Sequence, residues 1–266
     1  AWNERMSVND QILAEVDGFI GRFTINNAAK RNCITLSMWQ RMGDVFATWA
    51  DDPAVRVIIV RGAGERCFCA GNDISEFAEL RSSPESIAKY TAVTDRAYTL
   101  FKAMPKPTIA RIAGFCIGGG LEVAQLCDIQ IAANTATFSV TPAKLGLGYK
   151  LDDVQLLTDN VSAKTAKEIL FTARQFPADD ALQWGLVNRV VAEHDLDETV
   201  ESYAREIAAN APLSIKAAKI IVGEAAKEKA LRDTSLCQAL VDACHESDDY
   251  KEGQHAFTEK RLPLFK

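Results

Sequence analysis

The stretch Gly118-Gly119-Gly120-Leu121-Glu122 follows the apolar segment Thr108 to Ile117 and runs into Val123-Ala124-Gln125-Leu126-Cys127, which predicts a strand, a glycine turn and a helix. Three consecutive glycines add nothing to packing. They permit backbone conformations closed to other residues and let a ligand come close to the main chain. A turn that opens a helix leaves N–H groups unpaired, and the helix dipole favours negative charge there. Glu122 stands just inside that turn, placed for proton transfer beside a ready anion site. The same residues also fit a structural part, a tight strand-to-helix junction with a glutamate facing water at the positive end of the dipole.

Working outward, the 266 residues suffice for one large domain or a domain with an appendage, and for a substantial core. A 48% hydrophobic and 25% charged composition is that of an ordinary globular chain. The net charge of −6 argues against a broad nucleic-acid surface, so an anionic ligand would need a local basic cluster. The cysteines, at 33, 67, 69, 116, 127, 237 and 244, are odd in number and lack C-x-x-C spacing, which reads as reduced thiols in a cytosol-like compartment. Cys67-x-Cys69 is too isolated for zinc, and His194, His245 and His255 fall outside any ligand spacing, so no metal is expected. No apolar run reaches about 18 residues and no basic-then-apolar leader opens the sequence, so the expectation is a soluble, cytoplasmic protein without a membrane partner.

Residues 11 to 26 alternate around Asp17-Gly18, as in a tight hairpin entering a sheet. Lys30-Arg31-Asn32 comes next in a polar loop, where two adjacent cations fit either solvated surface or a phosphate contact. Thr35 reads as an N-cap, and Met38, Trp39, Met42, Val45, Phe46 and Trp49 repeat at helical spacing as a core face. Asp51-Asp52-Pro53 ends that helix, and Val55 to Val60 reads as a strand buried on both faces. Cys67-Phe68-Cys69-Ala70-Gly71-Asn72-Asp73-Ile74 carries a second small-residue turn before a helical stretch, and it matches neither a P-loop nor a dinucleotide fingerprint. If the two turns are neighbours, each could offer one N–H to the same oxygen. Thr108 to Ile112, Asp128 to Ala133 and Thr137 to Val140 read as strands. Ala143 to Lys150 reads as a loop, closed by Asp152 and Asp153, which fit loop acids and helix-start residues equally. Ala163 to Thr172 and Ala178 to Trp184 read as helices and Leu186 to Val191 as a last strand. From residue 196 onward the pattern is helical throughout, which often marks an assembly module. The tail Phe257 to Lys266 is apolar and basic together, which suggests docking.

With Cys69-Ala70-Gly71-Asn72-Asp73-Ile74, Ile112-Ala113-Gly114 through Glu122, Cys127-Asp128-Ile129, Phe138, Lys144-Leu145-Gly146-Leu147, Ala166 to Thr172, Ala181 to Val190 and the Phe257 to Phe265 tail in order, the chain resembles the crotonase superfamily, the enoyl-CoA hydratase/isomerase family. The resemblance implies an α/β fold, a ClpP-like spiral of ββα units over residues 1–195, with a C-terminal helical trimerisation region over 196–266. It implies a homotrimer or homohexamer and an acyl-CoA substrate, with no cofactor beyond the CoA of the substrate. By position, the main-chain N–H groups that hold the thioester oxygen would be those of Ala70 and Gly119, with Glu122 the acid–base group. Two preorganised donors facing an enolate oxygen lower such a barrier by several kcal/mol. CoA contacts would come from Lys30 and Arg31 near the phosphates or adenine, from Gly71, Asn72, Asp73, Ile74 and Gly118 around the thioester, pantetheine and adenine, and from Phe257 and Lys260 in the tail or a neighbouring subunit. Short-chain enoyl-CoA hydration, in fatty acid metabolism, is the leading reaction.

One departure matters. Hydratases of the family carry a second glutamate, in a Pro-Glu pair after a Phe, and counting on from Phe138 that position is Pro142. Three readings remain: Glu122 relays both protons of a hydration, Glu122 moves a proton between carbons in an isomerisation, or Tyr149, Asp152 or Asp153 supplies the missing group, which would point to a specialised substrate; the resemblance also leaves open another specialised crotonase reaction on a CoA thioester. A reading of another class is a CoA-binding scaffold with little or no activity, against which the retained Glu122 speaks.

Overall fold

A computed structural model, which describes residues 8–80 and 82–266, starts with a single helical turn, α1 (Val8–Gln11), and the expected hairpin, in which β1 (Ile12–Asp17) pairs antiparallel with β2 (Ile20–Ile25). Thr35 caps α2 (Leu36–Asp51) by accepting a hydrogen bond from Met38 N at 3.2 Å. The six-residue apolar stripe of that helix is buried throughout.

The chain then winds in ββα turns. The first holds β3 (Val57–Gly62), β4 (Cys67–Cys69), the short α3 (Phe77–Leu80) and the long α4 (Pro84–Lys102). The second holds β5 (Thr108–Ile112), β6 (Phe115–Ile117) and α5 (Gly119–Leu126). The third holds β7 (Ile129–Ala133), β8 (Thr137–Ser139), α6 (Pro142–Leu145), α7 (Leu151–Thr158) and α8 (Ala163–Thr172). Two short strands, β9 (Phe176–Pro177) and β10 (Arg189–Val191), flank α9 (Ala178–Gln183). The first strand of every turn enters one sheet, ordered β1-β2-β3-β5-β7-β10, and the second strand enters another, ordered β4-β6-β8-β9. Apart from the β1–β2 and β8–β9 pairs, neighbours run parallel, as crossovers through helices require.

The larger sheet is covered on both faces, which is why its central strands read as continuous apolar runs. Ile58 and Val60 of β3 and Ala110 and Ile112 of β5 point into the core under α2 and α4, where Phe46 stacks on Phe101 at 4.2 Å. Val57, Ile59 and Ile109 point the other way, against Leu196, Val200, Ala204 and Ala208 of α10 (Leu196–Ala208). Beyond α10 come α11 (Pro212–Ala226), α12 (Thr234–Glu246) and α13 (Asp248–Glu259), the last running into the stretch that reads as a tail from sequence. Lys219 ties α11 to the sheet by donating to Asp128 Oδ2 and to Lys106 O, and Arg56 donates to Phe265 O at 2.9 Å, so the tail is docked.

Three expectations need correction. The strand expected over Thr108 to Ile112 forms as β5, but the rest of the apolar segment to Ile117 is not merely the lead into the glycine turn: it holds a second strand, β6, in the other sheet, because the chain breaks at Gly114. That residue has φ +60, and a Cβ there would lie 2.1 Å from Arg66 O. The segment Ala143 to Lys150 is not all loop, since its start belongs to α6 with Pro142 at the first helical position. The strand expected from Leu186 is regular only from Arg189, because Leu186 and Val187 turn back to the carbonyl of Ala181.

Gly114→Ala is expected to lower stability by at least about 1–3 kcal/mol, the cost of a left-handed backbone at a residue with a Cβ. Urea unfolding of the variant against the unmodified protein measures it.

Candidate active site

Two turns meet at one point. The first turn of α5 stands on the end of β4: a Cβ on Gly120 would lie 2.0 Å from Cys69 O, so only glycine permits this approach. On the far side of β4, Gly71 reaches the same helix start, where a Cβ built on it would lie 3.1 Å from Gly119 N. The two small-residue turns read from sequence are therefore neighbours.

Which N–H groups are available depends on the hydrogen bonds around them. Ala70 N donates to Arg31 O at 3.1 Å and Asp73 N to Ile34 O at 2.9 Å, both binding this turn to the 31–34 segment. Gly71 N faces Cys69 Sγ at 3.3 Å, and Gly118 N donates to Ser139 O at 2.8 Å. The Ala70 N–H expected from sequence is thus already spent. Among the described residues, Asn72 and Gly119 are the flanking pair whose backbone N–H groups carry no such bond, and they are the pair able to hold an anionic oxygen.

Glu122, in the first turn of α5, accepts a hydrogen bond from the Tyr98 hydroxyl at 2.7 Å. Tyr98 comes from α4, which the Ser83 cap and Pro84 at its first turn start cleanly. Its ring stacks on Trp39 at 5.2 Å, and Trp39 Nε1 donates to Asn72 Oδ1 at 2.7 Å. One chain of contacts therefore links the carboxylate to the turn that carries a free N–H. Burial pushes the Glu122 carboxyl above the usual carboxylate range, Tyr98 works against that shift, Asp153 adds to it, and Tyr149 and Lys150 oppose it. Both phenols rise in turn, through burial and then the Glu122 charge, so they remain protonated donors.

These groups line a cleft of about 720 Å³ between α4, the 70–74 turn, α5 and α7. Pro142 lines it too and brings no acid. Of the alternative groups, Tyr149 and Asp153 reach the immediate surroundings of Glu122, whereas Asp152 lines only the outer cleft. Asp153 is also a helix-start residue, accepting from Lys150 N at 3.2 Å. Lys150 spans the cleft to Asp95 at 3.3 Å.

At the other end, Lys30 does not stand free. Its Nζ pairs with Asp73 Oδ2 at 2.7 Å, and Asp73 also caps the turn after it by accepting from Ser75 N. Burial opposes ionisation of Asp73, but hydrogen bonds from Lys30 and Ser75 outweigh it and hold the carboxyl below its usual range. Asp73 thus positions Lys30, whose side chain remains more than half exposed. Ile74 is exposed at the cleft edge. Arg31, in a left-handed conformation, lines no part of the cleft. Phe257, 87% exposed, and Lys260, the C-cap of α13, do not line the cleft either. Tyr98, Trp39 and Gln125 are the site residues that sequence reading misses. The helical spacing of α4 could have shown which face is buried, but nothing in the sequence couples position 98 to position 122.

Among the described residues no group of His, Cys, Asp and Glu could hold a metal ion, and no helix is long and apolar enough to cross a membrane. The described cysteines are all free thiols.

Comparison with known proteins finds similarity along nearly the whole chain. The family model described as enoyl-CoA hydratase/isomerase matches residues 15–266. The short-chain-enoyl-CoA hydratase of Clostridium acetobutylicum is 33% identical over 96% of this chain and 97% of its own. The crotonyl-CoA hydratase of Syntrophomonas wolfei is 32% identical over 96% and 98%. Among solved structures, an enoyl-CoA hydratase/carnithine racemase from Magnetospirillum magneticum superimposes with a TM-score of 0.89 at 34% identity, over 97% of this chain and 96% of that one.

Tyr98→Phe removes a donor to the charged form of Glu122 and keeps the ring on Trp39. The Glu122 carboxyl is expected to titrate at higher pH by about one unit, the size of one hydrogen bond to a charged group, in a carbon-13 carboxylate titration.

Proposed function

The chain belongs to the enoyl-CoA hydratase/isomerase family, and from that premise we propose that it adds water across the 2,3 double bond of a short-chain enoyl-CoA with Glu122 as its single acid–base carboxylate. The observation that carries this reading is the placement of Glu122, fixed by Tyr98 beside the free N–H groups of Asn72 and Gly119, opposite a Pro142 that offers no second acid.

The thioester carbonyl oxygen accepts from Asn72 N–H and Gly119 N–H. These donors polarise the enoyl system and stabilise the enolate as charge moves onto that oxygen. Glu122 Oε2 is held by Tyr98, which leaves the other oxygen to accept a proton from water. As that proton transfers, the water oxygen bonds to C3, the C2–C3 π pair shifts into the enolate, and Glu122 becomes the neutral acid. Glu122 then returns the same proton to C2, the enolate collapses to the thioester, and the carboxylate is restored. One water supplies both the hydroxyl and the hydrogen, on one face of the alkene, so no further acid is required. A raised Glu122 pKa suits a group that must act as base and then as acid.

Double-bond isomerisation is the second reading, because the same lone carboxylate could carry a proton between C2 and C4. The mass of the product separates the two, since hydration adds one water and isomerisation adds nothing. Lys30, which does not itself line the cleft but is paired with Asp73 between the cleft-lining Asn72 and Ile74, supports a contact to the CoA phosphates. The exposed Val222, Leu231, Phe257, Leu262 and Leu264 of the 212–266 region support assembly as a homotrimer or homohexamer, in which Phe257 and Lys260 would approach the cleft of a neighbour. A cytoplasmic place in fatty acid breakdown fits free thiols and a short-chain substrate.

Two outcomes test the assignment. Glu122→Gln is expected to lower kcat on crotonyl-CoA by about 10²–10⁴-fold while thioester binding stays nearly intact, with turnover read as loss of the conjugated enoyl absorbance. Unchanged turnover would remove Glu122 from the mechanism. Pro142→Glu is expected to raise kcat if ordinary hydration is limited by having one carboxylate, and a flat response favours another reaction or a substitute group such as Tyr149 or Asp153.

A further inference from the structure

Beside Glu122, sharing that residue, Tyr149 and Asp153 with the open cleft, lies a small cavity of about 20 Å³. Its walls are largely apolar, with Leu121, Val140 and Leu157 among them, and four polar side chains reach it: Glu122, Gln125, Tyr149 and Asp153. Gln125 sits one turn beyond Glu122 on the same face of α5 and is 8% exposed. Its Nε2 donates to Leu186 O at 3.0 Å, while its Oε1 is buried and meets no donor. That bond fixes which way the amide points, because a flip would set Oε1 against a carbonyl oxygen and send Nε2 into the cavity. A buried acceptor without a donor costs about 1–3 kcal/mol and is rare in folded proteins.

The cavity is the right size and character to resolve this. A site of this volume takes one water, which needs on the order of 10–15 Å³ and two to four polar partners. Gln125 Oε1 and the Glu122 carboxylate are both acceptors, so the two protons of a single water satisfy both. We propose that this cavity is a one-water site and that Gln125 is a positioning residue for Glu122, with the water donating one hydrogen bond to Gln125 Oε1 and the other to the Glu122 carboxylate. Together with the hydrogen bond from Tyr98, the water would hold the carboxylate in place. The inference rests on Glu122 being the acid–base group.

The charged and titratable groups that face Glu122 are Tyr98 on α4, Tyr149 and Lys150 ahead of α7, Asp153 on α7 and the buried thiol of Cys69 on β4. None of them is altered by a substitution at Gln125. Gln125→Met keeps the length and apolar stem of the side chain and removes the acceptor. Losing one donor to the charged carboxylate is expected to move the acid limb of kcat/KM on crotonyl-CoA to higher pH by about one unit. A merely structural part for Gln125, tying α5 to Leu186, would lower stability without moving that limb, so an unshifted limb overturns the proposal. A crystal structure of the unmodified protein resolving internal waters is the second measurement, and it decides the matter should Gln125→Met not fold. Water density within hydrogen-bond distance of Gln125 Oε1 and Glu122 supports the site, and its absence overturns it. Failure of the underlying reading looks different: Glu122→Gln would then turn over normally while the water was still seen.

Discussion

Everything at the site depends on how closely α5 approaches β4. A helix start normally keeps its distance from a strand because side chains intervene. Here Gly120 lies against Cys69 O and Gly71 against Gly119 N, and the two backbones touch with nothing between them. That contact places two main-chain N–H groups side by side with no side-chain freedom to lose. It also fixes the origin of α5, and therefore the position of Glu122 one turn in. The spiral serves this contact, because β4 and β6 lie adjacent and parallel in the smaller sheet and bring the ends of two consecutive ββα turns together. The larger sheet, buried on both faces, supplies the rigidity.

The second constraint is electrostatic and pulls in two directions. A carboxylate inside a cleft is costly, and burial is the largest influence on Glu122, pushing its pKa upward. A folded-state pKa above the unfolded value means the ionised group disfavours folding, so its contribution to stability is present while the carboxyl is protonated and is lost as pH rises through the folded pKa. The fold tolerates this because Tyr98 and Tyr149 stand as donors and because the first turn of a helix favours negative charge. The same compromise gives the group its chemistry. A carboxyl of ordinary acidity would take a proton from water too reluctantly, and one left wholly unsupported would stay protonated and serve as no base.

How much of this is legible in the sequence varies with the range of the interaction. The α2 stripe from Met38 to Trp49, the Thr35 cap and the Asp17-Gly18 hairpin are plain, because periodicity and turn chemistry are local. The glycine turn with Glu122 is plain for the same reason, and the shared plan of the two small-residue turns points to their meeting. The donor within the second turn is not legible, since Ala70 N–H is claimed by Arg31, a residue whose left-handed conformation has no signal in the sequence. Tyr98, stacked on Trp39 and bonded to Glu122, depends on the packing of α4 against α2 and α5, and such a contact across the spiral cannot be read from one chain. The break at Gly114 is hidden because apolar residues stand on both sides of it, and apolar character alone does not reveal which sheet a strand joins.

The face of α5 then orders the whole site. Residues three and four apart on a helix share a face and rise about 1.5 Å each, so Gly119, Glu122, and Gln125 with Leu126 form successive steps of roughly 4.5–6 Å. The first step carries an unpaired N–H, the one proposed for the thioester oxygen, the second the carboxylate, and the third an amide lining the small cavity and a leucine lining the cleft. A second carboxylate at position 142 would come from outside this helix and need its own alignment. With Pro142 in that place, alignment under the proposed hydration rests on one helix, and a single carboxylate held on it would take a proton from water and return that same proton to C2 on one face of the alkene.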